Sequence, residues 1–297
     1  MTGLGISSLP LPADAYRVDL PYSANYFSRF ETEEASHIED VSRAAKAKQA
    51  AQKASKPDNR IAAEALAYKL DYQARGDDPP ESAASRSYMR DHRMAIIGSL
   101  SQTFDPAYSP NACTATILRA DWEMSPSQFR ALHPSEIMNP LRMDLYRSGA
   151  RDAVGAMFAG LHAEHEPRAG QIRVHAHVVA DGGMVDVVRR LRVLPLYAPI
   201  IREHEGVTKR VPTVRVTRIR EGSLSDPLSY TVQSFIPSRW EGVIDGKWCR
   251  SKMRTRVVEP VHTQILLWLD QWRLEDLTMQ IGLKVSKQGL VRTRPFS

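Results

Sequence analysis

Apolar and polar side chains alternate along Gln171-Ile172-Arg173-Val174-His175-Ala176-His177-Val178-Val179-Ala180, which predicts a β-strand over 171–180. A partner strand is expected over 161–166, because Pro167-Arg168-Ala169-Gly170 supplies turn residues for a four-residue hairpin loop. Upstream, the β-branched alternation of 113–122 predicts a further strand. Pro140 can open a helix that Gly149 closes, and a second helical patch is expected over 154–158. Asp181-Gly182-Gly183 breaks the chain before a helix over 184–193, and 196–203 with 211–220 predicts another hairpin. Ser225-Asp226-Pro227 is a helix-start signal, so 228–235 is expected as a short helix stopped by Pro237. Without regular βαβ alternation, this order favours an α+β fold: a central antiparallel sheet with packed helices.

The flanks read differently. Residues 44–53 have strong helix propensity but no large apolar side chain, so a solvated helix is expected there. Asp58 can cap a second helix reaching Tyr72, and Gly76-Asp77-Asp78-Pro79-Pro80-Glu81-Ser82 reads as a linker at a domain boundary. Near the other end, Ile265, Leu266, Leu269 and Trp272 fall on one face of a core helix over 261–272. The stretch 274–290 suggests a helix, a turn at Gly282 and a short basic element. That order leaves a helix-turn-helix contact with duplex DNA open beside a simple packing helix.

Charge and cysteine content narrow the setting. Lys and Arg number 40 against 34 Asp and Glu, giving +6 and a pI near 9.3, a balance that favours a polyanionic partner. Cys113 and Cys249 stand far apart without companions, which supports neither a disulfide framework nor a thiolate zinc knuckle. A reducing cytoplasm is the expected location. No apolar run approaches the roughly 20 residues that span a bilayer, so no membrane association is expected.

Residues spaced i and i+2 leave one face of a strand, so His175 and His177 are half a metal site. Alternate histidines are also ordinary polar side chains. In a hairpin register that pairs even with odd positions, His162, Glu164 and Glu166 share the histidines' face and His165 does not. Glu164 is chosen as third ligand, since an anionic oxygen suits magnesium or manganese. Tyr230, near the start of the 228–235 helix, is the candidate nucleophile for a phosphodiester, and Gln233 one turn on can hydrogen-bond the phosphate. The alternative is a tyrosine whose ring packs on the sheet. Tyr197, flanked by prolines, is the fallback nucleophile. Lys247, Arg250, Lys252, Arg254 and Arg256 form a basic run beside Trp240 and Trp248. In an extended chain it is a track for nucleic-acid phosphates, or else a solvated basic edge.

The His175-Ala176-His177 strand, its carboxylate-bearing neighbour and the Tyr230 helix resemble the HUH endonucleases, among them rolling-circle replication initiators and single-strand transposases. The resemblance covers roughly 110–240. It implies an antiparallel sheet with the histidines on an interior strand, and a divalent metal held by His175, His177 and a third polar ligand. It also implies a tyrosine that nicks one strand of single-stranded or nicked origin DNA and stays linked to the 5′ phosphate. With the boundary expected at the 76–82 linker, the chain divides into a helical, partly flexible extension over 1–80, a catalytic domain over 81–240 that includes the resemblance, and a basic, helical DNA-contacting segment over 241–297. One departure stands out: many initiators carry Lys three residues after the tyrosine, where this chain has Gln233. Ser234 stands where some members have a second tyrosine. With neither a Walker A loop nor GxGxxG present, an initiator of this kind would borrow a host helicase. Histidine-triad hydrolases need a third alternate histidine, where Val179 stands, and two-histidine phosphoesterases need a second His-x-Ser/Thr element besides His133-Pro134-Ser135. A non-catalytic DNA-binding regulator and a small-molecule metallohydrolase remain as other readings.

Overall fold

The N-terminal helices are built on small side chains. Thr32 caps α1 (Glu33–Lys53) by accepting from the Ala35 amide, and Ala44, Ala47 and Ala51 bury a narrow face that lets α2 (Pro57–Leu70) approach closely. Buried Asp40 accepts from Ser85 Oγ (2.8 Å) and from the Arg86 (2.5 Å) and Ser87 (3.1 Å) amides, which begin α3 (Arg86–Thr103). Thus α1 is docked rather than solvated, because alanines pack without bulk and its acid satisfies the next helix. The expected linker is also tied down: Ser82 donates to Asp270 (2.7 Å) and the Ala83 amide to the Trp272 carbonyl. One core runs from Leu66 and Leu70 through Ile97 and Val174 to Leu266, so the segments on either side of 76–82 share it.

The structure, a computed structural model, describes residues 5–10, 32–105, 107–220, 225–233 and 235–293. After α3 come β1 (Cys113–Ile117), β2 (Glu123–Met124), α4 (Pro126–Ala131) and α5 (Ser135–Arg147). Pro140 lies inside α5 rather than opening it, since the helix already starts at Ser135. The long hairpin follows, β3 (Met157–Glu166) and β4 (Gln171–Ala180). Residues 154–158 are not helical: Ala156 to Ala159 are fully buried, and the run from Met157 pairs with strands on both sides.

Next are α6 (Met184–Arg190), β5 (Ile200–His204), β6 (Val207–Val211) and β7 (Val214–Arg218). Here β5 pairs β6 through a tight turn at Glu205-Gly206, both at positive φ, while β7 joins β1; the expected 196–203/211–220 hairpin therefore does not form. Then α7 (Ser225–Thr231) precedes β8 (Pro237–Ser238), β9 (Glu241–Ile244), β10 (Lys247–Arg250) and β11 (Thr255–Arg256). The chain continues through the core helix α8 (Val261–Leu269) into β12 (Thr278–Ile281), β13 (Leu283–Ser286) and β14 (Gly289–Arg292). Strands thus replace the helix expected over 274–290, which removes the helix-turn-helix reading; Gly282 turns at φ +71° between β12 and β13.

The main sheet has eight strands in the order β11-β8-β3-β4-β1-β7, with β12 also on β3 and β2 also on β4. Every pairing is antiparallel except the short parallel bridge of β3 to β8, so the expected antiparallel sheet is a mixed one in an α+β fold. No described helix is long and apolar enough to cross a membrane. One face of the inner strands carries Ala163, Val174, Ala176 and Val178 into the core, and the other presents the histidines.

Candidate metal centre and tyrosine cleft

The register of β3 on β4 decides which side chains meet. His162 stands directly opposite His175, Gly160 opposite His177, and Glu164 opposite Arg173. Even positions of β3 therefore share the histidines' face, as the even-odd register requires. His165 points to the other face, 3.3 Å from Ser238 Oγ. His162, not Glu164, completes the cluster, because the directly opposed pair is the closest across a ladder. One ligating nitrogen from each of His162, His175 and His177 lies within 4.8 Å of the others.

Outer partners orient each ring. His175 Nδ1 faces the Arg173 carbonyl (3.1 Å), His162 Nε2 the Phe235 carbonyl (3.2 Å) and His177 Nδ1 the Thr116 hydroxyl (3.4 Å). Carbonyls only accept, so His175 Nδ1 and His162 Nε2 carry the protons, and the opposite nitrogens turn lone pairs inward. The inward nitrogens are 3.0 Å apart between His162 and His175 and 3.2 Å between His175 and His177. Ligands about 2.1 Å from one ion and near right angles stand roughly 3.0 Å apart, so both separations fit a shared cation. Burial pushes all three imidazoles below their ordinary range, His175 to about 4 and His162 and His177 well down, with the neighbouring histidines adding to the effect for the latter two. Neutral imidazoles with converging lone pairs and hydrogen-bonded outer nitrogens are the donor set a divalent ion needs.

Glu164 is engaged elsewhere. Its carboxylate pairs with Arg250 (2.5 Å) and Arg239 (3.6 Å) at the cleft wall. Glu166 ties the turn, accepting from the Arg168 and Ala169 amides, and also accepts from the Glu241 amide. Buried Glu241 gathers Arg173 (3.0 Å), Arg202 (3.0 Å) and Arg250 (3.2 Å). Burial alone would raise its pKa, but the three guanidiniums outweigh that and hold it below the ordinary range.

Tyr230 opens into the same cleft. Its ring is 40% exposed, 6.3 Å from the His177 ring, and lies under the Arg254 guanidinium at 4.7 Å. Two features set α7 this close to the sheet. Gly160 has no side chain, and a Cβ there would lie 1.8 Å from the Thr231 carbonyl oxygen. From α3, Arg93 Nε donates to the Val232 carbonyl (2.5 Å) and holds the end of α7. Tyr197, by contrast, is 1% exposed, donates to Asp144 (3.0 Å) and does not line the histidine cleft; burial and that carboxylate raise its pKa. The cleft, of ≈ 480 Å³, is bounded by the histidines, Thr116, Tyr230 and arginines.

Two expectations fail on local geometry. The tyrosine helix starts at Ser225 and ends at Thr231, so Gln233 loses its one-turn relation to Tyr230; it lines a separate apolar pocket with Phe129, Leu161 and Trp268. The basic run is not one extended strand, because β10 stops at Arg250 and β11 begins at Thr255. Arg250 is held by Glu164 and Glu241, Arg256 by Glu39, and Lys247 and Lys252 are exposed outside the cleft, leaving Arg254 beside the tyrosine. His162 is recognisable from the sequence as a face partner but not as the third member of the cluster, and Lys209 and Arg215 of the cleft wall carry no sequence signal. Comparison of the chain with protein-family models, with curated proteins and with solved structures gives no match.

Proposed function

We propose that the chain is a metal-dependent, HUH-type nickase and strand transferase acting on single-stranded DNA, most simply a replication initiator of a plasmid, phage or mobile element. The observation that carries this reading is the opening of the Tyr230 phenol into the cleft that holds His162, His175 and His177. These histidines would hold a divalent ion, which supplies polarisation of a phosphodiester oxygen when bound. An all-nitrogen donor set suits manganese or another transition ion better than magnesium, which prefers oxygen.

The tyrosine does the covalent work. Its phenol oxygen forms a bond to phosphorus while the bond to the 3′ oxygen breaks, leaving a 5′-phosphotyrosine and a 3′ hydroxyl. The phenol proton leaves through the exposed side of the ring, and the departing 3′ oxygen takes up a proton. A later 3′ hydroxyl reverses the step and rejoins or transfers the strand.

Labelled single-stranded DNA incubated with manganese and then denatured tests the reading. A covalent band that EDTA suppresses is expected. Binding without a band would leave a DNA-binding regulator, and neither binding nor band would leave a small-molecule metallohydrolase.

A further inference from the structure

The cations of the cleft fall into two electrostatic classes. Arg173 and Arg202 are tied to Glu241, and Arg239 and Arg250 to Glu164. A phosphate gains little from a guanidinium already neutralised by a partly buried carboxylate, since the existing ion pair must first be broken. Lys209, Arg215 and Arg254 line the same cleft, and among the described residues no carboxylate lies within ion-pair distance of them; Lys209 acts on Glu241 only at longer range.

Their positions surround the histidines from three separate elements. His177 pairs with Thr116, and Thr116 pairs with Arg215, so Arg215 lies in the same cross-strand row on the same face. Arg254 covers the Tyr230 ring from the segment before β11, and Lys209 of β6 lies 5.5 Å from the Trp248 ring centroid. Three separated charges, two of them set against aromatic rings, match the alternation of phosphate and base in an unpaired strand. A cleft of ≈ 480 Å³ falls within the size range of small-ligand sites, enough to seat part of an unpaired strand.

We infer that Lys209, Arg215 and Arg254 are the phosphate contacts of a single DNA strand laid across the histidine cluster, and that Arg250 is not one of them. This rests on the nickase reading and specifies how its substrate is held. The chemistry is electrostatic, so it is read from salt dependence, which a merely structural role does not move.

Binding of the full chain to fluorescein-labelled oligothymidylate is measured by anisotropy between about 50 and 200 mM salt. Three contacts predict a slope of log affinity against log salt near −2, at about 0.7 per contact. Lys209→Ala, Arg215→Ala and Arg254→Ala should each lower its magnitude by about 0.7, roughly a 2.6-fold change in salt sensitivity over that range. Arg215→Lys and Arg254→Lys should restore it. Arg256→Ala is the control, because its guanidinium pairs with Glu39, and Arg250→Ala should also keep the wild-type slope in protein shown by circular dichroism to be folded. Unchanged slopes in the three alanine variants, with tight wild-type binding, overturn the inference and leave the nickase reading standing. A wild type that does not bind oligothymidylate at 50 mM salt removes both.

Discussion

Gly160→Ala tests how the tyrosine is brought to the histidines. The new methyl group would sit 1.8 Å from the Thr231 carbonyl oxygen and 3.0 Å from its carbonyl carbon, against ordinary contact beyond about 3.4 Å. Both obstacles are backbone, and Arg93 grips the next carbonyl at 2.5 Å, so no side chain can swing away. The end of α7 must therefore retreat by roughly 1.5 Å, carrying Tyr230 with it. Overpacking of this size costs about 1–3 kcal/mol of stability, and a misplacement near 1 Å costs about 100-fold in rate. The predicted result is a fall of about 100-fold in the single-turnover rate of covalent adduct formation. Manganese affinity should stay within about threefold of wild type, because Gly160 offers no side-chain ligand and the three histidines keep their outer partners. An adduct rate within threefold of wild type, in a variant with an unchanged melting temperature, would refute the close-approach argument.

Other consequences separate the remaining roles. His162→Ala should lower manganese affinity by at least 10-fold in calorimetry while Glu164→Gln leaves it nearly unchanged; the reverse would restore the carboxylate as ligand. Glu241→Ala removes one of two carboxylates shared by Arg173 and Arg202, Glu123 being the other, so urea unfolding should show a loss of about 1.5–3 kcal/mol, and a loss under about 0.5 kcal/mol would contradict that role. Burial raises the Cys113 thiol to about 11. The unfolded chain therefore loses that proton first, and stability should fall between about pH 9 and 11 by roughly 2–3 kcal/mol more in wild type than in Cys113→Ala. Equal slopes in the two proteins would show that the thiol is not buried as described.

What could be read from the chain follows the range of the interactions. The β3–β4 hairpin and the face shared by His162, His175 and His177 are local consequences of alternation and a four-residue turn. Chemistry alone favours the anion of Glu164 as third ligand; the register opposes His162 to His175 and Glu164 to Arg173, so it is His162 that joins the histidine cluster. The neutralisation of Glu164 by Arg250, 86 residues away, has no local signal. Nor does the docking of α7 on Gly160, which depends on sheet and helix meeting. Pattern is ambiguous where strands are short: Thr278 to Arg292 holds three strands whose apolar residues also fit a helical period. Helix α3 did carry a local mark, Ser85 as its cap with Met89, Ile96, Ile97 and Leu100 at helical spacing, but its arginines and serines obscure the pattern.

The most direct test of the account is the chemical identity of the adduct. After reaction with single-stranded DNA and manganese, nuclease trimming and trypsin digestion, mass spectrometry should find a nucleotide linked through a 5′ phosphate to the peptide containing Tyr230. Tyr230→Phe should lose that species while still binding oligothymidylate. A nucleotide on any other residue, or an adduct that survives Tyr230→Phe, would contradict the assignment of Tyr230 as the nucleophile beside the histidine cluster.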